Sequence, residues 1–428
     1  YDQGLDEAAV IARARDFEKK IGKTINTLAV PDRHMGRGYA LGGFHHPRSR
    51  YSETVDYVHM VHAFNETLDF WDREFSEKSI TLILNGGREA ASMARAHGIH
   101  YRTMVGSRYK NLHNWAHNEF YENPEFEDSF HTIPESALTM DAPYHAHQAV
   151  RTGYYKKFRF TSLVKNLALT TARHAWWNIR RYEKAKGYYS LENMKYFYRY
   201  WRDYKTLCRL ATVTLADLAG KQFVFFPLHI EPETALHGLS PEYFYQLSLI
   251  AAVSRDLPAG TFLAVKEAYG AVGRRPDNFY RQISDLKNVV ILDTWEVGFD
   301  CARKADAVVT ICGTAGMEGA VSGTPVISFG KHNIYNFLPT VSVVNDERNL
   351  AEYLRSALYD GIDKGKAVAD GKRFLEAIVA CSFDMGQYDY IDLHNFQTES
   401  VQGACDALAR SLAKQSEPQR AMALTHTL

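Results

Sequence analysis

Short apolar runs alternate with amphipathic segments throughout the second half of the chain. Five runs have the length and the β-branched content of buried strands, and they cover residues 222–227, 261–265, 288–292, 307–311 and 324–329. Segments with helical spacing separate them, at residues 241–256, 276–286, 296–304 and 317–321. Strands that alternate with helices without a break predict a doubly wound parallel sheet.

The first half of the chain has the same character with less regular spacing. Periodicity predicts helices over residues 5–20 and 53–77, and an apolar run predicts a strand over residues 24–30. A second unit predicts a strand over 79–84, a turn at Asn85-Gly86-Gly87, a helix over 88–97 and a strand over 99–105. We therefore expect a parallel sheet covered by helices here as well, followed by a loop or short helices over residues 116–144.

A helical segment rich in basic and aromatic residues joins the two halves, over residues 145–218. One interpretation is a helical hairpin whose aromatic side chains pack inward while its cations face water. The other is a platform for an anionic glycan or an anionic membrane face, because basic amphipathic helices bind such membranes. The sequence leaves both interpretations open.

These patterns predict an α/β protein with two Rossmann-like domains, a central cleft and a helical insertion. The predicted divisions are residues 1–145 for the first α/β domain, 146–218 for the helical connection, 219–395 for the second α/β domain, and 396–428 for a C-terminal helix and tail. Further helices are expected over residues 349–359, 372–382 and 400–413. A chain of 428 residues is long enough for two separate cores.

Composition narrows the class of protein. Lys plus Arg and Asp plus Glu number 50 each, so the whole molecule has no electrostatic preference for nucleic acid. Five cysteines are scattered without C-x-x-C spacing, which argues for a reducing compartment and against a disulfide framework or a zinc site. No apolar run reaches the roughly 20 residues of a membrane span. We therefore expect a cytoplasmic protein that binds no metal.

Residues 305–330 form the strongest local pattern, with a buried strand, a glycine-bounded turn, a helix and a second buried strand. Gly313, Thr314, Ala315 and Gly316 make the turn, which exposes backbone N–H groups at the N-terminus of the helix. Such a terminus carries roughly half a positive charge and unpaired donors, which suits a phosphate. A tight strand-to-helix turn without a ligand explains the same glycines.

Polar loops follow three of the predicted strands, and the carboxyl ends of parallel strands share the ligand-binding edge of a sheet. The loops contain His229, Glu231 and Glu233 in the first, Lys266 and Glu267 in the second, and the glycine turn with Glu318 in the third. An ammonium group beside a helix N-terminus suits a phosphate leaving group, and Glu318 is placed to accept from ribose hydroxyls. The alternatives are a surface Lys266–Glu267 pair and a Glu318 that only favours the helix N-terminus.

Asp32 is a candidate from the first half of the chain. It lies in residues 31–38, which contain this acid, one His and two Arg directly after the predicted strand over 24–30. Loops at the carboxyl ends of strands bind ligands in open α/β folds. The alternative is a solvated surface loop.

Three motifs of the second half resemble those of a known family. They are FPLHIEPET at residues 226–234, LAVKE at 263–267 with GRRP at 273–276, and CGTAGMEGAVSGTPVISFG at 312–330. Their order and spacing are similar to the capsule-polysaccharide-synthesis family, which has an HxxPE-type or QPE-type loop, a VKEH-type loop, and GTAGxEA followed by GKPVxxFG. One departure is Ala268-Tyr269, where the family often has His-Pro after the Lys-Glu pair.

The resemblance implies a two-domain glycosyltransferase of the GT-B type, related to bacterial β-Kdo transferases. It implies transfer of a sugar from a nucleotide-activated donor, CMP-Kdo or an NDP-sugar, to a surface or capsular polysaccharide or a glycolipid. No metal and no other cofactor would be required. It is also compatible with peripheral contact with the inner face of the plasma membrane.

The same resemblance assigns roles to the candidate residues. Lys266, Glu267, Glu318 and the turn of Gly313, Thr314, Ala315 and Gly316 would bind the donor, with His229 helping to balance the phosphate charge. A carboxylate would then deprotonate the acceptor hydroxyl or attack the anomeric carbon. We favour Asp32 as the acceptor-side base, with Glu231 or Glu233 positioning the donor.

Two other functions fit the same sequence. One is a UDP-sugar 2-epimerase or nucleotide-sugar hydrolase of GT-B fold, which would need carboxylates around the sugar and no acceptor groove. The other is a glycan-binding or assembly subunit that has kept the fold and lost the chemistry. Nucleotide release from sugar donors distinguishes the enzymes from the binding protein.

Overall fold

The computed structural model describes residues 4–32, 56–143, 146–182, 190–230, 234–243, 245–273, 275–385 and 398–413. Its strands are β1 (Leu82–Leu84), β2 (His100–Gly106), β3 (Leu112–Ala116), β4 (Phe223–Pro227), β5 (Phe262–Lys266), β6 (Val289–Ile291), β7 (Ala307–Thr310), β8 (Val326–Ser328), β9 (Val341–Val343) and β10 (Phe383–Asp384). They form two sheets, so the predicted α/β class is confirmed.

The helices up to the second sheet are α1 (Glu7–Ile21), α2 (Ile25–Ala29), α3 (Tyr57–Glu77), α4 (Arg88–Ala96), α5 (Glu125–Thr132), α6 (Gln148–Tyr155), α7 (Phe160–Ile179) and α8 (Ser190–Leu210). The later helices are α9 (Thr234–Leu239), α10 (Gln246–Asp256), α11 (Phe279–Ser284), α12 (Gly298–Lys304), α13 (Thr314–Val321), α14 (Leu350–Tyr359), α15 (Lys364–Cys381) and α16 (Thr398–Ala413). None of the described helices is both long enough and apolar enough to cross a membrane.

The strand predicted over residues 24–30 is wrong, because this segment is helix α2. Thr24 caps the helix, and its hydroxyl accepts from the N–H of Thr27 at 3.1 Å. Ile25, Leu28 and Ala29 are all buried in one cluster with α1 and α3. The spacing of Ile25, Leu28 and Ala29 suits one face of a helix, and the cap decides between helix and strand.

The first sheet is mixed, with the order β1-β2-β3-β10. β1 and β2 are parallel as predicted, whereas β3 runs antiparallel to both β2 and β10. β3 was not predicted. Only five residues join β2 to β3, with the N–H of Ser107 donating to the carbonyl of Leu112 at 2.8 Å. A connection this short permits only antiparallel pairing, so the wholly parallel first sheet predicted from the sequence is corrected.

The second sheet is parallel throughout, with the order β6-β5-β4-β7-β8-β9. The chain adds β5 and β6 on one side of β4 and β7, β8 and β9 on the other. The predicted doubly wound sheet is therefore confirmed, with β9 as an unpredicted edge strand. The order reverses between β4 and β7, which opens a crevice at their carboxyl ends.

The chain returns to the first sheet after α15. β10 pairs with β3, and the carbonyl of Ala404 in α16 accepts from the indole of Trp115 at 2.8 Å. The buried guanidinium of Arg102 on β2 donates to the hydroxyl and the carbonyl of Ser411 at 3.0 and 2.8 Å. Strand β10 begins at Phe383 and belongs to the first sheet, although it lies inside the range 219–395 that the sequence assigned to the second domain.

Contacts that join the region of the first sheet to the cavity side of the second include the following three. Arg108, in the β2–β3 turn, donates to the carbonyl of Cys312 at 3.0 Å. Arg88, at the start of α4, donates to the carbonyl of Gly238 at 2.8 Å. His332 stacks on Phe120 with ring centroids 4.1 Å apart and pairs with Glu122 at 2.7 Å.

In the described parts of the connection, residues 146–182 and 190–218, the predicted helices are present as α6, α7 and α8, and residues 211–218 are not helical. Some of its aromatic side chains pack inward. Phe158 is fully buried between Tyr200 and Tyr204, with ring centroids 4.9 and 4.3 Å away. Others are at least half exposed, namely Phe160 and Trp176 on α7 and Tyr198 on α8.

Candidate active site

A cavity of about 520 Å³ lies at the crevice of the second sheet. Its walls come from residues after β4, β5 and β7, from the start of α12, and from Arg108, Pro143 and Ala146 in the first half of the chain. Of the predicted site residues, His229, Lys266, Glu267, Gly313, Thr314, Ala315 and Glu318 line it. The structure thus brings the three predicted loops together at one edge of the sheet.

Helix α13 points its N-terminus into this cavity. It begins at Thr314, three residues before the predicted start, and its N-cap Gly313 provides no capping side chain. The N–H groups of Thr314 and Ala315 donate to none of the described residues. An uncapped helix N-terminus with unpaired donors on a cavity wall can bind an anion.

Close packing explains the two glycines of the turn. A Cβ on Gly313 would lie 3.0 Å from the Nε2 atom of His229, and a Cβ on Gly316 would lie 2.4 Å from the hydroxyl of Tyr335. Gly316 does not line the cavity, and its N–H donates to the carbonyl of Gly313 at 3.3 Å. Gly316 therefore shapes the turn from behind while Thr314 and Ala315 present their N–H groups.

His229 holds the turn in place. Its Nε2 atom accepts from the N–H of Cys312 at 3.0 Å, while its Nδ1 atom faces the Oε1 atom of Gln246 at 3.3 Å. Burial lowers the pKa of His229 to about 4, and the nearby Arg275 contributes to this shift. A neutral imidazole with both nitrogens engaged supplies no positive charge to a phosphate, so its geometry fits positioning instead of the predicted charge-balancing role.

Glu267 forms the centre of a buried network beneath the cavity. Its carboxylate accepts two bonds from Arg275, at 2.8 and 2.7 Å, and one each from the hydroxyl of Tyr280 and the N–H of Ala268, both at 2.7 Å. Arg275 also donates to the carbonyl of His229 at 2.7 Å. The carboxylate is thereby occupied, so Glu267 supports the wall of the cavity instead of offering its side chain to a ligand.

Lys266 presents a buried cation to the cavity. Lys266 is the last residue of the parallel strand β5, and it is only 8% exposed. The ammonium group donates to the carbonyl of Glu267 at 3.2 Å and lies 5.3 Å from the ring centre of Tyr269. No carboxylate within the described ranges pairs with it. Desolvation lowers the pKa of Lys266, as expected for a buried charge that has no full counter-ion.

Glu318 is a buried carboxyl group on the second turn of α13. It lines the cavity, and no hydrogen bond or ion pair from a described residue reaches its carboxylate. Burial, with a smaller effect from Asp300, raises the pKa of Glu318 to about 7. A carboxyl group near its pKa can donate or accept a hydrogen bond at neutral pH.

Asp32 lies in a different cavity, of about 310 Å³, beside the first sheet. This second cavity is also lined by Arg88, Glu89, Tyr101, Glu119 and Tyr121. Burial raises the pKa of Glu89, and the charge of Asp32 adds to the shift. Glu119 is buried and pairs with Lys23 and Arg95. Glu231 and Glu233 lie outside the described residues.

Several site residues could not be identified from the sequence. Arg108 reaches the cavity from a hairpin turn, where its backbone is left-handed with φ of 61°. Arg275 belongs to the GRRP motif, yet nothing in that motif indicates its pairing with Glu267. Gln246 and Glu89 carry no local pattern at all. No group of three His, Cys, Asp or Glu side chains in the described part of the chain is arranged to bind a metal ion.

The chain is similar to known proteins in structure and not in sequence. No protein-family model matches the sequence, and no curated protein matches it. Two solved structures of KpsC from Thermosulfurimonas dismutans are similar to it. The β-Kdo 2,4 transferase is 13% identical, with a TM-score of 0.32 over 64% of this chain and 78% of that one. The β-Kdo 2,7 transferase is 14% identical, with a TM-score of 0.31 over 70% and 87%.

The glycosyltransferase SnogD from Streptomyces nogalater is 14% identical, with a TM-score of 0.26 over 40% of this chain. This chain spans 44% of the length of SnogD, which is less than half. Likenesses at these scores assign no activity to the chain. The solved structures similar to this chain thus include β-Kdo transferases and another glycosyltransferase.

Proposed function

We propose that the protein is a metal-independent glycosyltransferase of the GT-B type that binds a nucleotide-activated sugar in the 520 Å³ cavity. One observation carries the proposal. The buried Lys266 lacks a carboxylate partner among the described residues and shares the cavity with the uncapped N-terminus of α13. A buried cation beside free N–H groups is a site for an anion, and the phosphate of a nucleotide sugar supplies one.

The chemistry is substitution at the anomeric carbon of the donor sugar. The bond between that carbon and the phosphate oxygen breaks, and its electron pair leaves with the nucleotide. Lys266 and the N–H groups of Thr314 and Ala315 stabilise the charge that develops on this oxygen. Arg108 lines the same cavity and adds a second cation, so the phosphate charge is balanced without a metal ion.

A carboxylate on the acceptor side completes the reaction. The acceptor hydroxyl forms the new bond to the anomeric carbon, and its proton passes to the carboxylate. We propose Asp32 as this base. Glu89 lines the same cavity and is the alternative carboxylate. Glu231 or Glu233 remains our proposal for positioning the donor.

Glu318 is proposed to bind the ribose of the donor. Its carboxyl group is buried in the cavity and has room for donors from a ligand. Two ribose hydroxyls donating to it would favour the charged form and lower its pKa. Binding of the nucleotide would then release a proton near neutral pH.

The substrates are proposed from the motif resemblance. CMP-Kdo is the first donor to test, and the acceptor would be a surface or capsular polysaccharide or a glycolipid. Because such acceptors are assembled at membranes, we also propose that the enzyme contacts a membrane peripherally from the cytoplasmic side.

The decisive experiment incubates the protein with CMP-Kdo and a panel of UDP- and GDP-sugars, with and without polysaccharide acceptor. Nucleotide release that requires the acceptor and yields a longer glycan supports the proposal. Release that yields free sugar without an acceptor indicates a hydrolase, and a changed sugar nucleotide indicates an epimerase. No release with any donor would overturn the enzymatic proposal and favour a glycan-binding protein.

A thermal-shift panel with CMP, UDP and GDP identifies the donor class independently of turnover. A nucleotide present at a hundred times its Kd adds about 2.7 kcal/mol to the free energy of unfolding. A shift in melting temperature with one nucleotide and not the others would identify the nucleobase that the cavity binds.

A further inference from the structure

Helix α7 presents an unusually apolar surface to solvent. Of its twenty residues, Leu163 alone is buried. Ile179 is 75% exposed, Phe160 61% and Trp176 50%, and Val164 and Leu169 are about half exposed. We call these five side chains the α7 surface.

The α7 surface is continuous. At 100° per residue, Phe160, Val164, Ile179, Trp176 and Leu169 fall within about 180° of the helix circumference. Between them lie the small exposed residues Ala168, Ala172 and Ala175, together with the exposed polar residues Thr161, Lys165, Thr171 and Asn178. This half of the helix is therefore mostly apolar, and Phe160 at its start also packs against Trp201 of α8, with ring centroids 5.8 Å apart.

Cations lie within this surface and along one edge of it. Lys165, Arg173 and Arg180 are exposed and fall within about 40° of Leu169 around the helix. The guanidinium of Arg180 lies 4.6 Å from the ring centre of Trp176. Long basic side chains that lie along apolar residues can keep their charge at a polar boundary while the apolar side enters a less polar phase.

The charged residues of α7 and its flanking sequence are all positive. Residues 142–182 contain eight Lys and Arg and no Asp or Glu, although the whole chain has 50 of each sign. The eight are Arg151, Lys156, Lys157, Arg159, Lys165, Arg173, Arg180 and Arg181. An apolar helix face that carries this excess of positive charge complements a surface that is apolar inside and anionic outside.

We propose that the α7 surface binds an anionic phospholipid bilayer, with α7 lying in the plane of the headgroups. A second copy of the chain is a poor occupant, because it would bring eight further cations against these eight. A polyanion without an apolar phase is also a poor occupant, since it leaves Ile179 and Phe160 in water. A bilayer accommodates both features at once.

The position of this surface relative to the cavity has a consequence. α7 follows α6 after four residues, and α6 follows Ala146, which lines the 520 Å³ cavity. Arg151 of α6 donates to the carbonyls of Thr294 and Glu296, next to the second sheet. A bilayer bound by α7 would therefore contact a helix that is joined through α6 to the wall of the cavity.

The inference extends the peripheral contact of the proposed function, and it is tested without any sugar donor. Full-length protein is sedimented with vesicles of phosphatidylcholine alone or with 30–40% phosphatidylglycerol, roughly the anionic content that gives a strong surface potential. We expect binding to the anionic vesicles only, and loss of binding as salt rises from 0.1 to about 1 M. Equal binding to both vesicles, or to neither, would overturn the proposal and leave the transferase proposal intact.

Two sets of variants locate the contact. Ile179→Ser should weaken binding at least tenfold, whereas Ile362→Ser, at an exposed isoleucine between α14 and α15, should not. Arg173→Gln with Arg180→Gln should weaken it about thirtyfold, whereas Arg15→Gln with Lys19→Gln on α1 should not. Unchanged melting temperatures show that the variants fold.

Light scattering in the absence of lipid tests the competing occupant. The proposal expects the same mass for the original chain and for Ile179→Ser. A doubled mass that Ile179→Ser abolishes would assign the α7 surface to self-association and overturn the membrane proposal.

Discussion

The backbone N–H of Cys312 donates a 3.0 Å hydrogen bond to the Nε2 atom of His229, across the point where the strand order of the second sheet reverses. This bond joins the loop after β4 to the turn that begins α13. It requires an unprotonated Nε2, and burial supplies that condition by lowering the pKa of His229 to about 4. The neutral histidine therefore determines where the helix N-terminus points.

Replacing His229 should weaken nucleotide binding through the turn. His229→Ala removes the acceptor for Cys312, and we expect about a tenfold higher Kd for the nucleotide, the usual cost of one buried unpaired donor. His229→Gln keeps an acceptor oxygen at a similar reach and should lose less. Isothermal titration with the nucleotide identified by thermal shift measures both, and equal losses would contradict the positioning role.

His229 should also make stability depend on pH. Its pKa is about 4 in the folded chain against a usual value of 6.5, so the unfolded chain binds more protons between these values. The neutral form of His229 contributes fully to the free energy of unfolding above about pH 6.5, and this contribution is lost as the pH falls toward 4. Urea unfolding of the original chain and His229→Gln should show a smaller loss in the variant over this window. Parallel curves would contradict this prediction.

Lys266→Met should separate binding from stability. The substitution removes a buried cation and keeps most of the apolar volume, so the free energy of unfolding should stay equal or rise. Nucleotide affinity should fall ten- to a hundredfold, because hydrogen bonds to charged groups contribute about 1.5–3 kcal/mol. Lys304→Met, at the exposed end of α12, is the control and should change neither. A destabilised Lys266→Met with normal affinity would refute the anion site.

Glu318 should give nucleotide binding a pH dependence. Its raised pKa of about 7 means that the folded chain holds this proton more tightly than the unfolded chain. The contribution of Glu318 to stability is therefore complete below about pH 4.5 and is lost as the pH rises through 7. If ribose hydroxyls donate to the charged form, affinity should rise several-fold from pH 6 to pH 8.

Glu318→Gln provides the control for that measurement. The variant cannot ionise, so its affinity should change with pH only as far as the phosphate of the nucleotide itself titrates. The difference between the two pH profiles isolates the carboxyl group. Superimposable profiles would show that Glu318 does not contact the ligand.

The Glu267–Arg275 pair should behave as one unit. Glu267→Gln leaves a buried guanidinium without its counter-ion and should cost about 3–5 kcal/mol of unfolding free energy. Adding Arg275→Met should recover part of that loss, because the second substitution removes the uncompensated charge. Urea unfolding of the single and double variants measures the coupling. Additive losses would contradict the pairing.

Asp32→Asn should abolish sugar transfer and leave nucleotide affinity unchanged, because Asp32 lies in the second cavity, away from Lys266. Glu89→Gln, in the same cavity, provides the comparison. If Glu89→Gln abolishes transfer and Asp32→Asn does not, the base is Glu89. Normal transfer by both variants would remove this cavity from the mechanism.

The sequence was sufficient to predict five of the six strands of the second sheet and its ligand edge. Regular alternation of apolar runs and helices determines a doubly wound sheet, and this topology places Lys266 and the turn at Gly313 side by side. The first half was harder, because Ile25, Leu28 and Ala29 suit either a strand or a helix until the Thr24 cap decides. β3 was missed because a five-residue hairpin turn with left-handed Arg108 and Lys110 leaves no strong sequence signal.

The roles of individual residues depend on distant partners that spacing does not reveal. His229 and Glu267 were both predicted to serve the ligand directly. Gln246 and Cys312 occupy the two ring nitrogens of His229. The carboxylate of Glu267 is occupied by Arg275, Tyr280 and the N–H of Ala268. Among the described residues no carboxylate pairs with Lys266 and no donor reaches the carboxylate of Glu318, and for this reason they remain the best candidates for ligand contact.

The bond between Arg102 and Ser411 bears on how this protein can be divided. Arg102 lies in the middle of the first sheet, and its guanidinium donates both to the carbonyl of the adjacent Tyr101 and to Ser411, in a helix 309 positions later. A fragment ending after the second sheet would leave that guanidinium buried or force it out, and either result would loosen β2. The amino-terminal half is therefore not an autonomous module, and its integrity depends on the last helix of the chain.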